Sequence, residues 1–327
     1  MLLVPEDLIT KLISVKDTLR VIVSTYKDYS DKLVHVPSRI TLNVRADNDS
    51  AIVLAAIFDS KPYYGLKEAS SFPSNVNKNV STVISNIQVY SADTGELLSI
   101  IGANHLTGLK TGAASAVATD YLAGKEEDVL AIIGTGVQAQ NQLAAIQEVR
   151  NLEKVHVYDI DKNRAEQFSS LVEEIKNRKY EVIVADNAEQ CVSNAGIVVT
   201  VTTSSKPVLK GSWLRKGAHV NAVGSFTPEM QEIDSDAVFK AGKIVCDNID
   251  EVWQVAGDLI VPKEEGKIDN KNLYGELGDI VSGKLPGREE DEITIYESVG
   301  FAPLDIALAI EIYEKALASG DGENIDF

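Results

Sequence analysis

The chain has 327 residues, 44% of them apolar and 24% charged, a length and balance suited to one large or two ordinary globular domains. Its 49 acidic residues outnumber 31 basic ones, and the net charge of −18 argues against a nucleic-acid partner, whose phosphates need clustered Lys and Arg. No apolar run approaches the ~20 residues of a membrane span, so no membrane partner is expected. Glu6 and Asp7 fall where a secretory signal would be basic and then apolar. Cys191 and Cys246 lie far apart and the four histidines are scattered, so no metal centre is expected and both thiols read as reduced core residues of a cytoplasmic protein.

Residues 1 to about 33 read as helical, with Leu8, Leu12, Ile13, Leu19 and Val23 near helical spacing. Residues 38 to about 104 read as strands. Arg39-Ile40-Thr41-Leu42-Asn43-Val44 alternates, residues 51–58 form a continuous apolar run, and residues 84–90 and 96–101 flank a hairpin loop at 91–95. Strands without intervening helices imply an antiparallel sheet. A small-residue helix is expected over 107–122, followed by Gly124 and a charged link. From there strands starting near 129, 154, 181, 196, 218 and 243 alternate with helices, the pattern of a doubly wound parallel sheet. Residues 303–318 read as an amphipathic helix returning to the first domain. The fold class is therefore α/β: a Rossmann-type parallel sheet over residues 116–300, plus an α+β domain with a mainly antiparallel sheet over 1–115 and 301–327. Two crossings between such domains would leave a cleft, where ligands commonly sit.

The most specific local pattern is Val129-Leu130-Ala131-Ile132-Ile133-Gly134-Thr135-Gly136-Val137-Gln138-Ala139. A β-branched apolar run enters two glycines spaced by one, and a helical pattern starts at once. Backbone N–H groups at such a helix start lack intrahelical partners and attract a diphosphate. Ala139 stands where the dinucleotide pattern allows glycine or alanine, because that position only lets helix and strand pack closely. About twenty-five residues on, Val155-His156-Val157-Tyr158-Asp159 reads as a second strand ending in an acid that would accept hydrogen bonds from a ribose. Gly134, Thr135, Gly136, Val137, Gln138 and Asp159 are thus candidate cofactor ligands. An acid at Asp159 repels a 2′-phosphate and favours NAD; Lys162 and Arg164 close behind could offset it, which leaves NADP as an alternative. Thr202 and Thr203 follow the fourth strand of this unit, where loops face the cofactor crevice.

Several separated segments carry a wider likeness. They are Gly65-Leu66-Lys67 with Ser71-Phe72-Pro73-Ser74-Asn75; Leu106-Thr107-Gly108-Leu109-Lys110-Thr111-Gly112; the glycine turn; Asn221-Ala222-Val223-Gly224-Ser225-Phe226; Glu276-Leu277-Gly278-Asp279 with Gly287-Arg288; and Tyr296-Glu297-Ser298-Val299-Gly300. On these the chain resembles the ornithine cyclodeaminase/mu-crystallin family over nearly its whole length. The resemblance implies a nicotinamide-dependent enzyme of small amino or imino acids and a homodimer built by the N-terminal domains.

It also implies roles. Arg39 would grip a substrate carboxylate through its planar fork, although by itself it reads as a surface arginine on a half-exposed strand. Lys67 would sit beside the carboxylate and the reacting nitrogen and trade a proton. Lys110 stands where cyclodeaminases carry arginine; it either shares the substrate carboxylate or reaches the cofactor phosphates with Thr111. Phe226 replaces the aspartate that engages the distal amine of ornithine, and Val223, Ser298 and Gly300 would lie near the nicotinamide. The expected activity is NAD(H)-dependent oxidoreduction at the C–N bond of a small amino or imino acid. Ornithine cyclodeaminase and a crystallin-like binding protein with little activity are the alternatives.

Overall fold

The computed structural model describes residues 1–44, 49–78, 80–175 and 180–326, and the chain divides into two compact units, Met1–Lys110 with Ala302–Phe327, and Thr111–Phe301. The first unit holds β1 (Leu2–Val4), β2 (Val34–His35), β3 (Ile40–Asn43), β4 (Ser50–Phe58), β5 (Tyr63–Ser71), β6 (Val83–Ser91) and β7 (Leu97–Gly102). The second holds β8 (Val129–Ile133), β9 (Lys154–Tyr158), β10 (Glu181–Val184), β11 (Ile197–Thr200), β12 (His219–Ala222), β13 (Lys243–Cys246), β14 (Leu273–Glu276) and β15 (Thr294–Glu297). The chain then returns to the first unit through the helix Ala302–Ser319 and β16 (Glu323–Asn324).

The sheet of the first unit has the order β16-β1-β7-β6-β5-β4-β2, with β3 also paired to β4. β1 runs parallel to β7, and the other pairings described are antiparallel. The hairpin between β6 and β7 turns at Gly95, whose φ of +76° favours glycine. Two expectations are corrected here. The first strand is β1, inside a segment read as purely helical, because three residues carry too little pattern to declare a strand. The strand expected from Arg39 begins at Ile40, so Arg39 precedes the third strand instead of lying in the first. The long helix of the N-terminal segment, Val15–Ser30, starts at a reciprocal cap: Ser14 Oγ accepts from Asp17 N–H at 3.1 Å and Asp17 accepts from Ser14 N–H at 3.1 Å.

The helix Ala302–Ser319 packs on Val15–Ser30 and on β4, β5 and β6. It was expected to be amphipathic, yet residues 302–309 are all buried. A helix covered by a sheet on one side and a helix on another has little solvent face left. Gly65 on β5 permits this contact, since a Cβ there would lie 2.5 Å from Ile306 Cγ2.

The second sheet is wholly parallel, in the order β10-β9-β8-β11-β12-β15-β13-β14. The chain leaves β8 in one direction to β9 and β10, then resumes on the other side with β11 and β12, which sets a topological switch point between β8 and β11. β14 and β15 were not foreseen: each is a four-residue run without alternation, and β15 is buried throughout. Short helices here begin at polar caps, with Asn187, Asp234 and Asn248 accepting from the N–H three residues on. The crossing helix is Asn104–Leu122, three residues longer at its start than expected, and the change of unit falls inside it. Among the described residues no helix is long and apolar enough to cross a membrane.

Candidate active site

The antiparallel register of the first unit places Leu54 opposite Lys67, Lys67 opposite Ile87, and Ile87 opposite Ile101. Residues directly opposite share a face of the sheet. Lys67 is therefore the charged member of a buried apolar row, on the face that Gly65 opens to the helix Ala302–Ser319. Its ammonium donates to Asp305 Oδ1 at 2.6 Å and to Thr107 Oγ1 at 2.8 Å. Lys110 Nζ lies 3.4 Å from Asp305 Oδ2. The three charged side chains are 5%, 5% and 2% exposed, so water screens them little.

Burial pushes the Lys67 amine below its ordinary value; Lys110 adds to this and Asp305 opposes it. Burial would raise the Asp305 carboxyl, but the charges of Lys110 and Lys67 hold it below the usual range. With both lysines protonated the cluster holds two cations and one anion. An uncompensated buried charge costs several kcal/mol, and a bound anion would remove that cost. Arg39 lies in the same unit, one residue before β3, and is partly exposed. The arrangement can bind a carboxylate, and Lys67 can trade a proton beside it.

In the second unit the expected cofactor residues follow the C-terminal ends of parallel strands: Gly134, Thr135 and Gly136 after β8, Asp159 after β9, Thr202 and Thr203 after β11, Val223 after β12, Ser298 and Gly300 after β15; the expected substrate residue Phe226 also follows β12. A parallel sheet brings all these ends to one edge, where open α/β sheets take their ligands. Gly134 has φ +95°, and a Cβ there would lie 2.8 Å from Val201 O and from Thr202 Cγ2. Nothing lies within 4 Å of a Cβ on Gly136, the N-cap of the helix Val137–Ile146, so the start of that helix has room for a diphosphate. Val137 is 82% exposed beside them, and Gln138 Oε1 is buried without a partner.

Asp159 Oδ2 accepts from Thr135 N–H and Thr135 Oγ1, both at 2.9 Å, and Oδ1 accepts from Asp161 N–H. Burial alone would raise this carboxyl, but these hydrogen bonds and Arg164 bring it below the ordinary range. It is an anion that braces the glycine turn. Thr111 precedes Gly112, where a Cβ would meet Asn141 O at 2.3 Å, so the crossing helix packs backbone to backbone on the helix that starts at Val137. These features fit a dinucleotide.

The sequence profile of the ornithine cyclodeaminase/mu-crystallin family matches residues 2–320. The chain belongs to that family. A Δ1-pyrroline-2-carboxylate reductase of Bacillus cereus is 36% identical, with 100% of both chains covered. The solved Δ1-pyrroline-2-carboxylate reductase of Thermococcus litoralis, in complex with NADH and L-proline, matches with a TM-score of 0.95 at 35% identity over 99% of this chain and 100% of that one. An archaeal alanine dehydrogenase dimer with bound NAD matches with a TM-score of 0.94 at 32% identity, covering 100% and 99%.

For this member of the family the fold brings Lys67 and Lys110 together on Asp305, and keeps Phe226 in the second unit as a 52% exposed ring. Asp305 was missed in the sequence. The available signal was a carboxylate amid the apolar run Phe301-Ala302-Pro303-Leu304-Asp305-Ile306-Ala307-Leu308. Buried acids are rare unless paired, so an acid there calls for a buried cation.

Proposed function

We propose that this protein reduces a cyclic imino acid of the pyrroline-2-carboxylate kind with NADH. The observation that carries the reading is the buried Lys67–Asp305–Lys110 cluster, two amines on one carboxylate, in a family member whose full-length relatives include reductases of that name. Arg39 and Lys110 hold the substrate carboxylate. Lys67 has three N–H bonds; two go to Asp305 and Thr107, and the third serves the imine nitrogen. The carbon of an imine protonated on nitrogen is the better hydride acceptor, and Lys67 supplies that proton. Bound NADH supplies the hydride; Gly134, Thr135, Gly136, Val137 and Gln138 seat its diphosphate, Asp159 its ribose, and Thr202, Thr203, Val223, Ser298 and Gly300 border its nicotinamide. Asp159 favours NADH over NADPH.

Phe226 separates this reading from ornithine cyclodeaminase. A phenyl ring offers an alkylammonium at most a weak cation–π contact in place of a carboxylate. The test is absorbance at the reduced nicotinamide band, with Δ1-pyrroline-2-carboxylate and NADH in one arm and ornithine with NAD in the other. Turnover in the first arm and none in the second is expected. Brisk proline and ammonia formation from ornithine would overturn the reading, and cofactor binding with turnover in neither arm would mark a binding protein.

We further propose a homodimer through the first unit. Ile40 (57% exposed), Leu42 (50%) and Ile84 (47%) lie on the face of the sheet opposite Lys67, as the pairings Ile40–Val53, Leu42–Ala51, Ala51–Ser70 and Ser70–Ile84 require. An open apolar sheet face favours burial against another surface. A second copy presents the same face by two-fold symmetry. Leu42→Glu is expected to sediment as a monomer where the wild type sediments as a dimer; a monomeric wild type would defeat the proposal.

A further inference from the structure

Among the described residues of the second unit, four buried carboxylates lie where strands of the parallel sheet end: Glu232, Asp247, Asp258 and Glu297 are each 0–1% exposed. Glu232 spans two loops. Its Oε1 accepts from Thr202 N–H at 2.5 Å, after β11, and its Oε2 accepts from Gly224 N–H at 2.7 Å, after β12. Gly224 is tailored to this contact, because a Cβ would lie 2.5 Å from the Glu232 carboxyl and 2.2 Å from Thr202 O. Asp258 holds Glu232 in turn, accepting from Glu232 N–H at 2.6 Å and Ile233 N–H at 3.0 Å. Its own N–H donates to Ser225 Oγ, which donates to Met230 O. Asp247, just past β13, accepts from Tyr296 OH at 2.5 Å and from Ser298 Oγ at 2.9 Å.

We infer that Glu232 is a positioning residue for the dinucleotide, a strut that sets the loops of Thr202 and Val223–Gly224 at the spacing the cofactor needs. The inference rests on the proposed reading that these loops border the nicotinamide. A carboxylate suits the task because it accepts two N–H bonds at once, each stronger than a bond to a neutral acceptor. An amide accepts at one end and repels at the other.

The groups that face Glu232 also set its charge. Burial raises its carboxyl, and the N–H donors of Thr202 and Gly224 oppose that rise. Burial, then the charge of Glu232, raises Asp258 well above its ordinary range. Glu297, at the end of β15, is raised by burial and by Asp258, Glu232 and Asp247, and among the described residues neither of its oxygens has a hydrogen-bond partner. Burial thus pushes Glu297 and Asp258 further toward the protonated form than Glu232, whose two N–H donors favour its charged form.

The experiment compares wild type with Glu232→Gln by NADH titration and steady-state imine reduction. The variant is expected to bind NADH about 10- to 100-fold more weakly, the worth of one lost charge-assisted hydrogen bond. At saturating NADH the imine KM stays near wild type while the NADH constant moves, a split that general destabilisation would not produce. An unchanged NADH constant in a folded variant would overturn the inference. Should the variant not fold, hydrogen exchange of the wild type decides: Thr202 and Gly224 amides should be protected like those of β11 and β12, and exchange at surface-loop rates would refute the strut. A wild type that binds no NADH would instead refute the functional reading itself.

Discussion

Lys67→Ala is expected to lower kcat for imine reduction about 10²- to 10⁴-fold, the usual loss when a positioned proton donor is removed. The NADH dissociation constant should hold, because the glycine turn and Asp159 belong to the second unit and share no partner with Lys67. Lys67→Arg should fail to restore turnover. A guanidinium keeps the charge but holds its proton far too tightly, and its fork does not fit a space shaped for one Nζ between Thr107 and Asp305. Single-turnover measurement with preformed NADH complex separates chemistry from binding. A rate within a few-fold of wild type would remove Lys67 from the mechanism.

Asp305→Asn should change both stability and pH dependence. Removing one partner of a buried ion pair costs about 3–5 kcal/mol, and here two ammonium groups lose the same counter-ion. Denaturant unfolding followed for the first unit measures it. The signs for pH follow from the two shifts. Asp305 is held below its ordinary value of 3.8, so its stabilising effect is present above that pH and fades as pH falls through the folded value. The variant loses this dependence. Lys67 is already lowered by burial and supported by Asp305. Without that support it deprotonates at lower pH, and the alkaline limb of kcat/KM moves down the scale. A limb that stays in place would show that Asp305 does not govern the Lys67 proton. Asp305→Ala with the same limb as Asp305→Asn would locate the effect in charge, since only the amide retains an acceptor.

Much of this molecule is written in short-range pattern. The turn at Gly134 and Gly136 must be a strand-to-helix junction because the flanking residues permit little else, and the acid at Asp159 follows from the same unit. Alternation over residues 39–44, the apolar run 51–58 and the hairpin loop at 91–95 marked the antiparallel sheet, and the strand–helix rhythm after residue 129 marked the parallel one. The signals failed where elements are short or buried on all sides. β1 has three residues, and β14 and β15 have four each, while the helix Ala302–Ser319 was read from the sequence although its first half is buried throughout.

Local residue order was enough to declare two sheets and a dinucleotide turn, because turns, caps and periodicity act over a few residues, and the family resemblance pointed to the candidate lysines. Three-dimensional packing alone settled which groups meet. Asp305 reaches Lys67 across 238 positions, and Glu232 joins loops after two different strands. Such pairings follow from strand order and helix placement, which depend on burying every apolar face at once. No window along the chain contains that information, so the charges that set the proposed chemistry became visible only once distant segments were folded against one another.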